Sequence, residues 1–115
     1  MQKAASADNI NIFICSAFRD YIYQANLIKK KLFNGIDINN ITKILAAPGF
    51  SEHHTGCAID IISPPMKELD DTFEKTDAFN WLTQNACLYN FSMTYPRNNP
   101  SGIMFEPWHW CFRPD

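Results

Sequence analysis

Short apolar runs along the chain predict its β-strands. Residues 10–15 (INIFIC) and 57–63 (CAIDIIS) are continuous apolar stretches rich in β-branched residues, which is typical of buried strands. Near the C-terminus, three further short runs at residues 91–95, 102–105 and 108–112 predict three more strands. The pattern therefore indicates up to five strands, with three of them grouped at the end of the chain.

Apolar residues at helical spacing predict two main helices. The first covers residues 20–33 and ends at Asn34-Gly35, a pair that commonly terminates helices. The second covers residues 71–89, and residues 39–45 between them predict a short turn or helix. Because helices precede the group of terminal strands, the pattern favours an α+β fold with a small, mainly antiparallel sheet.

Composition limits the classes of function that the chain can serve. It has 115 residues and a formal net charge of -2, so we expect no nucleic-acid partner, which would require a wide basic surface. The length predicts a single domain over residues 1–115. No apolar run reaches the roughly 18 residues that a membrane span needs, so we expect a protein that does not cross a membrane. Residues 1–9 show no apolar core of a signal peptide.

The four cysteines give a weaker signal. They are widely spaced and form no CxxC pair, which argues against a cysteine-based zinc ribbon. Each lies in or beside an apolar run, so we expect buried structural thiols, although the spacing leaves a disulfide open. These residues are Cys15, Cys57, Cys87 and Cys111.

The segment from residue 51 to residue 60 carries the first candidate metal ligands. His53 precedes Asp60 by seven positions, with Gly56 between them. Seven extended residues span about 23 Å, whereas the ligands of one zinc ion lie only a few Å apart, so this segment has to fold back. Asp60 lies in an otherwise apolar strand, where a carboxylate is unfavourable unless it is paired or binds a metal. We interpret the neighbouring His54 as a residue that supports the ligands from behind or as a loop residue.

A second candidate group lies near the C-terminus. Glu106 and His109 are three positions apart and would face opposite sides of a flat strand, so sharing a site requires a turn, for which Pro107 is suited. Taken singly, a packed histidine, a salt-bridged Asp60 and a solvated glutamate are the commoner interpretations. Taken together, two histidines, one aspartate and one free glutamate match a catalytic zinc site with a carboxylate base.

These motifs resemble those of the VanY-type D-alanyl-D-alanine carboxypeptidases, in the wider LAS group of zinc peptidases. The first motif of that family is S-x-H-x-x-G-x-A-x-D, and the second is E-P-W-H. In this chain the matching residues are Ser51, His53, Gly56, Ala58 and Asp60, followed by Glu106, Pro107, Trp108 and His109. A third segment, Ser16 to Asp20 with Gln24, is similar to the S-G-Y-R-S of the family and its following glutamine.

The resemblance implies a LAS/hedgehog-like zinc-peptidase fold and a specific set of metal ligands. It implies that His53, Asp60 and His109 bind one zinc ion (Zn²⁺) per chain. Glu106 would then be the general base. We expect a monomer, and the substrate class of the family implies the cell envelope or periplasm as the location.

The resemblance also implies which residues face the substrate. Arg19 would contact its terminal carboxylate or the developing oxyanion, and Ser51 and Gln24 are further candidates for substrate contacts. For Arg19, a structural salt bridge at the start of a helix remains the alternative. The implied reaction removes the terminal D-Ala from a peptidoglycan stem peptide. An L,D-carboxypeptidase or endopeptidase of the same family, or a zinc-bound recognition domain without turnover, are the other interpretations.

Overall fold

A four-stranded antiparallel sheet organises the fold. Its strands are β1 (Phe13–Ser16), β2 (Ala58–Ile62), β3 (Phe91–Met93) and β4 (His109–Phe112). The order across the sheet is β1-β2-β4-β3, and every neighbouring pair is antiparallel. The computed structural model describes residues Met1–Asp115. The predicted α+β class with a small antiparallel sheet is confirmed.

Four α-helices accompany the sheet. Helix α2 (Tyr21–Phe33) begins where the Asp20 side chain accepts a hydrogen bond from the Tyr23 backbone N–H at 2.7 Å. It ends two residues before Gly35, whose φ of 83° suits a residue without a Cβ. None of the helices has the length and apolar character needed to cross a bilayer. The helices are α1 (Gln2–Ala7), α2 (Tyr21–Phe33), α3 (Ile38–Ile41) and α4 (Asp77–Asn85).

The second predicted helix, over residues 71–89, is divided into three pieces. A 3₁₀ turn (Asp71–Lys75) precedes α4, and another (Ala86–Tyr89) follows it. The first division falls at Thr76, which is extended (φ -89°, ψ 153°) and whose hydroxyl accepts a hydrogen bond from Phe79 N–H at 3.1 Å. A threonine that caps a new helix therefore interrupts an otherwise continuous helical pattern.

One other prediction of secondary structure is wrong, and one helix was not predicted. No strand forms over residues 102–105, because the Asn99 side-chain amide donates to the Ile103 carbonyl at 2.9 Å and Gly102 has a φ of 80°, so the segment stays irregular. Helix α1 escaped prediction because it buries only Ala5 and so has almost no apolar periodicity. Local side-chain hydrogen bonds explain the first error and a short, weak pattern explains the second.

The cysteines also differ in part from expectation. All four are free, and only Cys111 is buried, while Cys15 and Cys87 are exposed and Cys57 is partly buried. Cys15 lies on β1, which is an edge strand of the sheet, and this position explains its exposure.

The hydrophobic core lies on one face of the sheet. Ile61 of β2 and Trp110 of β4 point to this face and are almost completely buried. Helix α4 covers them with Trp81 and Leu82. Because successive strand residues point to opposite faces, the neighbours of Ile61 and Trp110 along each strand point away from the core. The candidate ligands lie on this second face.

Candidate metal centre

Strand pairing brings two of the predicted ligands together. Asp60 of β2 and His109 of β4 are directly opposite each other in the sheet register. Their side chains meet, with His109 Nδ1 3.1 Å from Asp60 Oδ1. Both residues are buried, so this polar contact is shielded from water.

A 3₁₀ turn (Glu52–Thr55) supplies the third predicted ligand. The Ser51 hydroxyl caps this turn by accepting a hydrogen bond from His53 N–H at 3.3 Å, and Gly56 ends it with a φ of 76°. The chain therefore folds back before β2, as the spacing predicts, and His53 Nε2 lies 3.3 Å from Asp60 Oδ2. One ligand atom from each of the three residues lies within 4.8 Å of the others.

The hydrogen bonds of His53 leave one ring nitrogen free for a metal. Its Nδ1–H donates to the Ala17 carbonyl at 2.6 Å, so Nε2 carries the lone pair. This Nε2 is buried and has no hydrogen-bond donor, an arrangement that is unfavourable for a polar atom. A cation between Nε2 and the Asp60 carboxylate would satisfy both groups. Two imidazoles and one carboxylate are also a donor set that suits Zn²⁺.

A carboxylate that the sequence analysis did not select holds His109. Glu52 Oε2 lies 2.9 Å from His109 Nε2, and the Glu52 carboxylate also accepts from Thr94 at 2.6 Å and from Arg113 at 2.8 Å. His109 Nε2–H therefore donates to Glu52, which leaves Nδ1 for a metal. Metal-binding histidines usually donate their second N–H to such a partner. This rule predicts an acidic partner, but with 12 acidic residues in the chain the sequence could not identify it.

The pKa values reflect this charge arrangement in the absence of metal. Burial alone would raise the pKa of Asp60, but the hydrogen bond with His109 and the proximity of both imidazoles outweigh it and lower the pKa to about 2. The pKa of Glu52 is likewise lowered to about 2, because its hydrogen bonds to His109 and Thr94 outweigh burial. Burial opposes the charge on His109, yet the two carboxylates raise its pKa to about 9. A cation is thus strongly stabilised at this position.

Glu106 lies beside the three candidate ligands. A turn places it there: its N–H donates to the Tyr95 carbonyl at 3.0 Å and its carbonyl accepts from His109 N–H at 3.2 Å. Its Oε2 is 3.7 Å from His109 Nδ1. Burial raises the pKa of Glu106 to about 7, against the lowering effect of His109. A carboxylate with such a pKa can both accept and release a proton near neutral pH.

Arg19 reaches the same point from the segment before α2. Its guanidinium donates to Asp60 Oδ2 at 3.2 Å and to Gln24 Oε1 at 3.1 Å. Arg19 therefore does form a salt bridge, but its partner is Asp60 of β2. The adjacent Asp20 instead caps the start of α2. Gln24 is almost fully buried, and its amide also donates to the Ala46 carbonyl at 2.7 Å.

His54 has a different environment from that of the adjacent His53. Its Nδ1–H donates to the Arg19 carbonyl at 2.7 Å, and its Nε2 accepts from Gly49 N–H at 3.1 Å. Its ring also packs against Tyr21, with the ring centroids 4.5 Å apart. Both ring nitrogens are thus engaged in loop contacts, and of the two interpretations of His54 these contacts favour the loop residue.

A cleft of about 310 Å³ opens from these residues. Arg19, Gln24 and Ser51, the residues predicted to face substrate, all line it. Their polar groups are already partly engaged, since Ser51 caps a turn and Gln24 joins Arg19 to the loop at Ala46. The candidate ligands and Glu106 form one end of the cleft, and α2 forms one of its walls.

Known proteins share both the sequence and the fold. YodJ of Bacillus subtilis (strain 168), which is named as a carboxypeptidase, is 34% identical over 116 residues, covering 95% of this chain and 41% of YodJ. The structure of the LdcB LD-carboxypeptidase matches with a TM-score of 0.83 and 31% identity, over 96% of this chain and 52% of LdcB. The chain thus spans about half the length, or less, of these relatives.

A further structure shows the same fold at lower identity. The vancomycin-resistance D,D-pentapeptidase VanY, solved in complex with Zn(II), matches with a TM-score of 0.76 and 24% identity, over 96% of this chain and 65% of that one. The LAS-type fold implied by the sequence motifs is confirmed. The sequence model of the family VanY, D-alanyl-D-alanine carboxypeptidase, matches residues 1–115. The chain therefore belongs to the VanY family of D-alanyl-D-alanine carboxypeptidases.

Proposed function

We propose that residues 1–115 form a single zinc-peptidase domain that removes the terminal D-Ala from peptidoglycan stem peptides. One observation carries this proposal: ligand atoms of His53, Asp60 and His109 lie within 4.8 Å of one another, with the Glu106 carboxylate 3.7 Å from His109. Membership of a carboxypeptidase family supports the reaction class. The Zn(II) in the VanY structure supports the identity of the metal.

The residues of the proposed metal site are His53, Asp60 and His109, and they would hold one Zn²⁺ per chain. Bound Zn²⁺ acts as a Lewis acid and lowers the pKa of water to about 7. The buried, unpartnered Nε2 of His53 supports this assignment, since a cation would satisfy it. His109 would use Nδ1, because its Nε2–H is held by Glu52.

Glu106 is the proposed general base. Its carboxylate takes a proton from the attacking water and then passes that proton to the amine of the departing residue. In the metal-free protein burial raises its pKa to about 7, so this carboxylate takes up a proton more readily than an exposed one. The aromatic residues Tyr95 and Trp108 line the cleft beside it, and they keep the carboxylate in a poorly hydrated environment.

Arg19 is the proposed electrostatic partner of the substrate. Its guanidinium lies in the wall of the cleft within reach of the Asp60 carboxylate, so its charge is close to the reacting atoms. It stabilises either the terminal carboxylate of the peptide or the developing oxyanion. Gln24 positions the guanidinium through its hydrogen bond at 3.1 Å, and Ser51 contributes by fixing the turn that holds His53.

Three alternatives to D,D-carboxypeptidase activity use the same site. The LD-carboxypeptidase LdcB, at 31% identity, supports an L,D reaction on the same site. An endopeptidase activity would use the same residues. A zinc-bound recognition domain would have no need of a buried carboxylate with a raised pKa, so Glu106 favours catalysis.

Mass spectrometry of products from a stem pentapeptide and a tetrapeptide, with and without chelator, tests the reaction. Loss of one D-Ala from the pentapeptide alone indicates D,D activity, and loss from the tetrapeptide alone indicates L,D activity. We expect chelator to abolish either. A zinc-loaded protein that cleaves neither peptide would contradict the proposed function.

The variant Glu106→Gln tests the base. We expect it to lower kcat by about 10²- to 10⁴-fold, because a positioned general base contributes about that much, while zinc content stays unchanged. Glu74→Gln is the matched control, since Glu74 pairs with Arg97 at 2.6 Å and with none of the candidate ligands. Unchanged cleavage by Glu106→Gln would show that Glu106 is not the general base.

The expected partner is the stem peptide alone. We further propose that the protein acts in the cell envelope, because peptidoglycan is the substrate class of the family. We also propose that it is a monomer. Sedimentation of the zinc-loaded protein at several concentrations tests the oligomeric state, and a mass that rises with concentration would contradict a monomer.

A further inference from the structure

The cleft extends along helix α2, away from the candidate metal centre, and reaches a lysine. Tyr23, Leu27 and Lys31 all line it, and they are spaced four positions apart on the helix. Residues with this spacing share one helix face, so they form a continuous wall. We infer that Lys31 binds a carboxylate on the acyl part of the peptide, remote from the scissile bond; this inference rests on the proposed function.

Lys31 differs from the two lysines that precede it. Lys29 and Lys30 are exposed and do not line the cleft, whereas Lys31 is partly buried and does. No carboxylate lies within ion-pairing distance of Lys31, while Arg19, the other cation of the cleft, is paired with Asp60. The charge on Lys31 is therefore available to a ligand in the cleft.

The length of α2 decides which part of a peptide reaches Lys31. Gln24 is the residue of α2 that contacts Arg19 at the candidate metal centre, and the helix rises about 10 Å from Gln24 to Lys31 at 1.5 Å per residue. One extended residue spans only about 3.5 Å, so the single residue released by a carboxypeptidase cannot reach from the metal centre to Lys31. The occupant of that end of the cleft is thus the acyl part, about three residues before the scissile bond.

The surroundings of Lys31 define the chemistry of the occupant. Leu27 on the same helix face is aliphatic, and so are Ile44 and Leu45, which also line the cleft. A carboxylate that meets an ammonium beside such apolar surface is screened less than a fully exposed pair. An acidic residue with apolar neighbours therefore fits this end better than a neutral or basic one. A purely structural role, in which lysines stabilise the C-terminal end of α2, would be shared by Lys30.

Matched peptides test the inference. We would use acetylated peptides that end in D-Ala-D-Ala and carry a single aspartate at the third or fourth residue before the scissile bond, with asparagine peptides as partners. The wild-type zinc-loaded protein should show a KM about 2- to 5-fold lower for the aspartate peptide, the range expected of a partly exposed ion pair. Its kcat should not change, because Lys31 does not touch the reacting atoms. The preference should shrink in about 0.5 M salt.

Variants of neighbouring lysines separate recognition from a general effect of charge. Lys31→Gln should abolish the preference, and Lys31→Glu should reverse it in favour of a peptide with lysine at the same place. Lys30→Gln, the matched control, should retain it. Equal loss in Lys30→Gln and Lys31→Gln, or no preference in the wild type, would overturn the inference.

A binding measurement keeps this inference distinct from the proposed function. Fluorescence anisotropy of labelled aspartate and asparagine peptides on the zinc-loaded Glu106→Gln variant, with and without Lys31→Gln, needs no turnover. A Lys31-dependent preference in binding without cleavage by the wild type supports the inference and overturns the function. Cleavage by the wild type without such a preference supports the proposed function and overturns the inference. Peptides that are neither cleaved nor bound would overturn both.

Discussion

Alternate residues of strands β2 and β4 form two faces with different roles. On one face, Ile61 and Trp110 are buried in the hydrophobic core beneath α4. On the other face, their neighbours Asp60 and His109 meet at 3.1 Å and form the candidate metal centre. Both faces are equally buried, yet one is held by apolar packing and the other by charge and hydrogen bonds.

This difference shows how a small chain can hold a buried charged cluster. The apolar face supplies the packing energy that keeps the strands in register. The polar face can then place charges in an arrangement that is unfavourable without a cation, as the unpartnered His53 Nε2 shows. Changes to the first face should affect stability, and changes to the second should affect metal binding and catalysis.

The largest expected effect separates the faces directly. Ile61→Ala should lower the free energy of unfolding of the metal-free protein by about 2–5 kcal/mol, because the removed atoms leave a cavity in the core. Urea denaturation measures this, and zinc titration of the folded protein should show nearly unchanged affinity. Ile22→Ala is the control, since Ile22 is 72% exposed and its loss should change stability by less than about 0.5 kcal/mol. Loss of zinc binding in folded Ile61→Ala would show that the faces are coupled.

The pH dependence of stability sharpens the comparison from the polar side. The folded-state pKa of His109, about 9, lies above its ordinary value of 6.5. Its stabilising effect on the metal-free protein is therefore complete below pH 6.5 and is lost as pH rises through 9, a change of up to ~3 kcal/mol. Glu106, with a pKa raised to about 7, acts in the same direction.

Denaturation at several pH values with and without zinc measures this effect. Saturating zinc should remove the loss above pH 6.5, because metal binding requires neutral imidazole. A metal-free protein whose stability stays constant from about pH 6 to pH 9 would contradict the charge arrangement described for His109.

The smallest of these effects concerns the carboxylate behind His109. Glu52→Gln should weaken zinc binding by about 10- to 100-fold, the usual consequence of losing the partner of a metal-binding histidine. Competition with a chromophoric chelator measures the affinity, and Glu74→Gln again serves as the control. Equal zinc affinities of Glu52→Gln and the wild type would show that His109 needs no such partner.

Local sequence was sufficient to predict much of this site. The need for a fold-back between His53 and Asp60 followed from the length of the segment, and Gly56 does end the turn with a φ of 76°. The turn between Glu106 and His109 followed from their spacing in a strand-like segment. These features depend on bond geometry over a few residues, so the sequence carries them directly.

Other features depended on contacts between distant parts of the chain. Glu52 is 57 positions from His109, and Arg19 is 41 positions from Asp60, so no local pattern could pair them. No sequence pattern distinguishes Lys31 from Lys29 and Lys30. Only the position of α2 beside the cleft shows that Lys31 lines it and the other two do not.

The sequence by itself determined the fold class, the family and the types of group at the site. Only the tertiary structure decided which atom of each group faces the others: Nε2 of His53 and Nδ1 of His109. The physical reason is that a histidine tautomer is selected by the hydrogen bond at its other nitrogen. Those bonds come from the Ala17 carbonyl and Glu52, which the fold brings in from other segments.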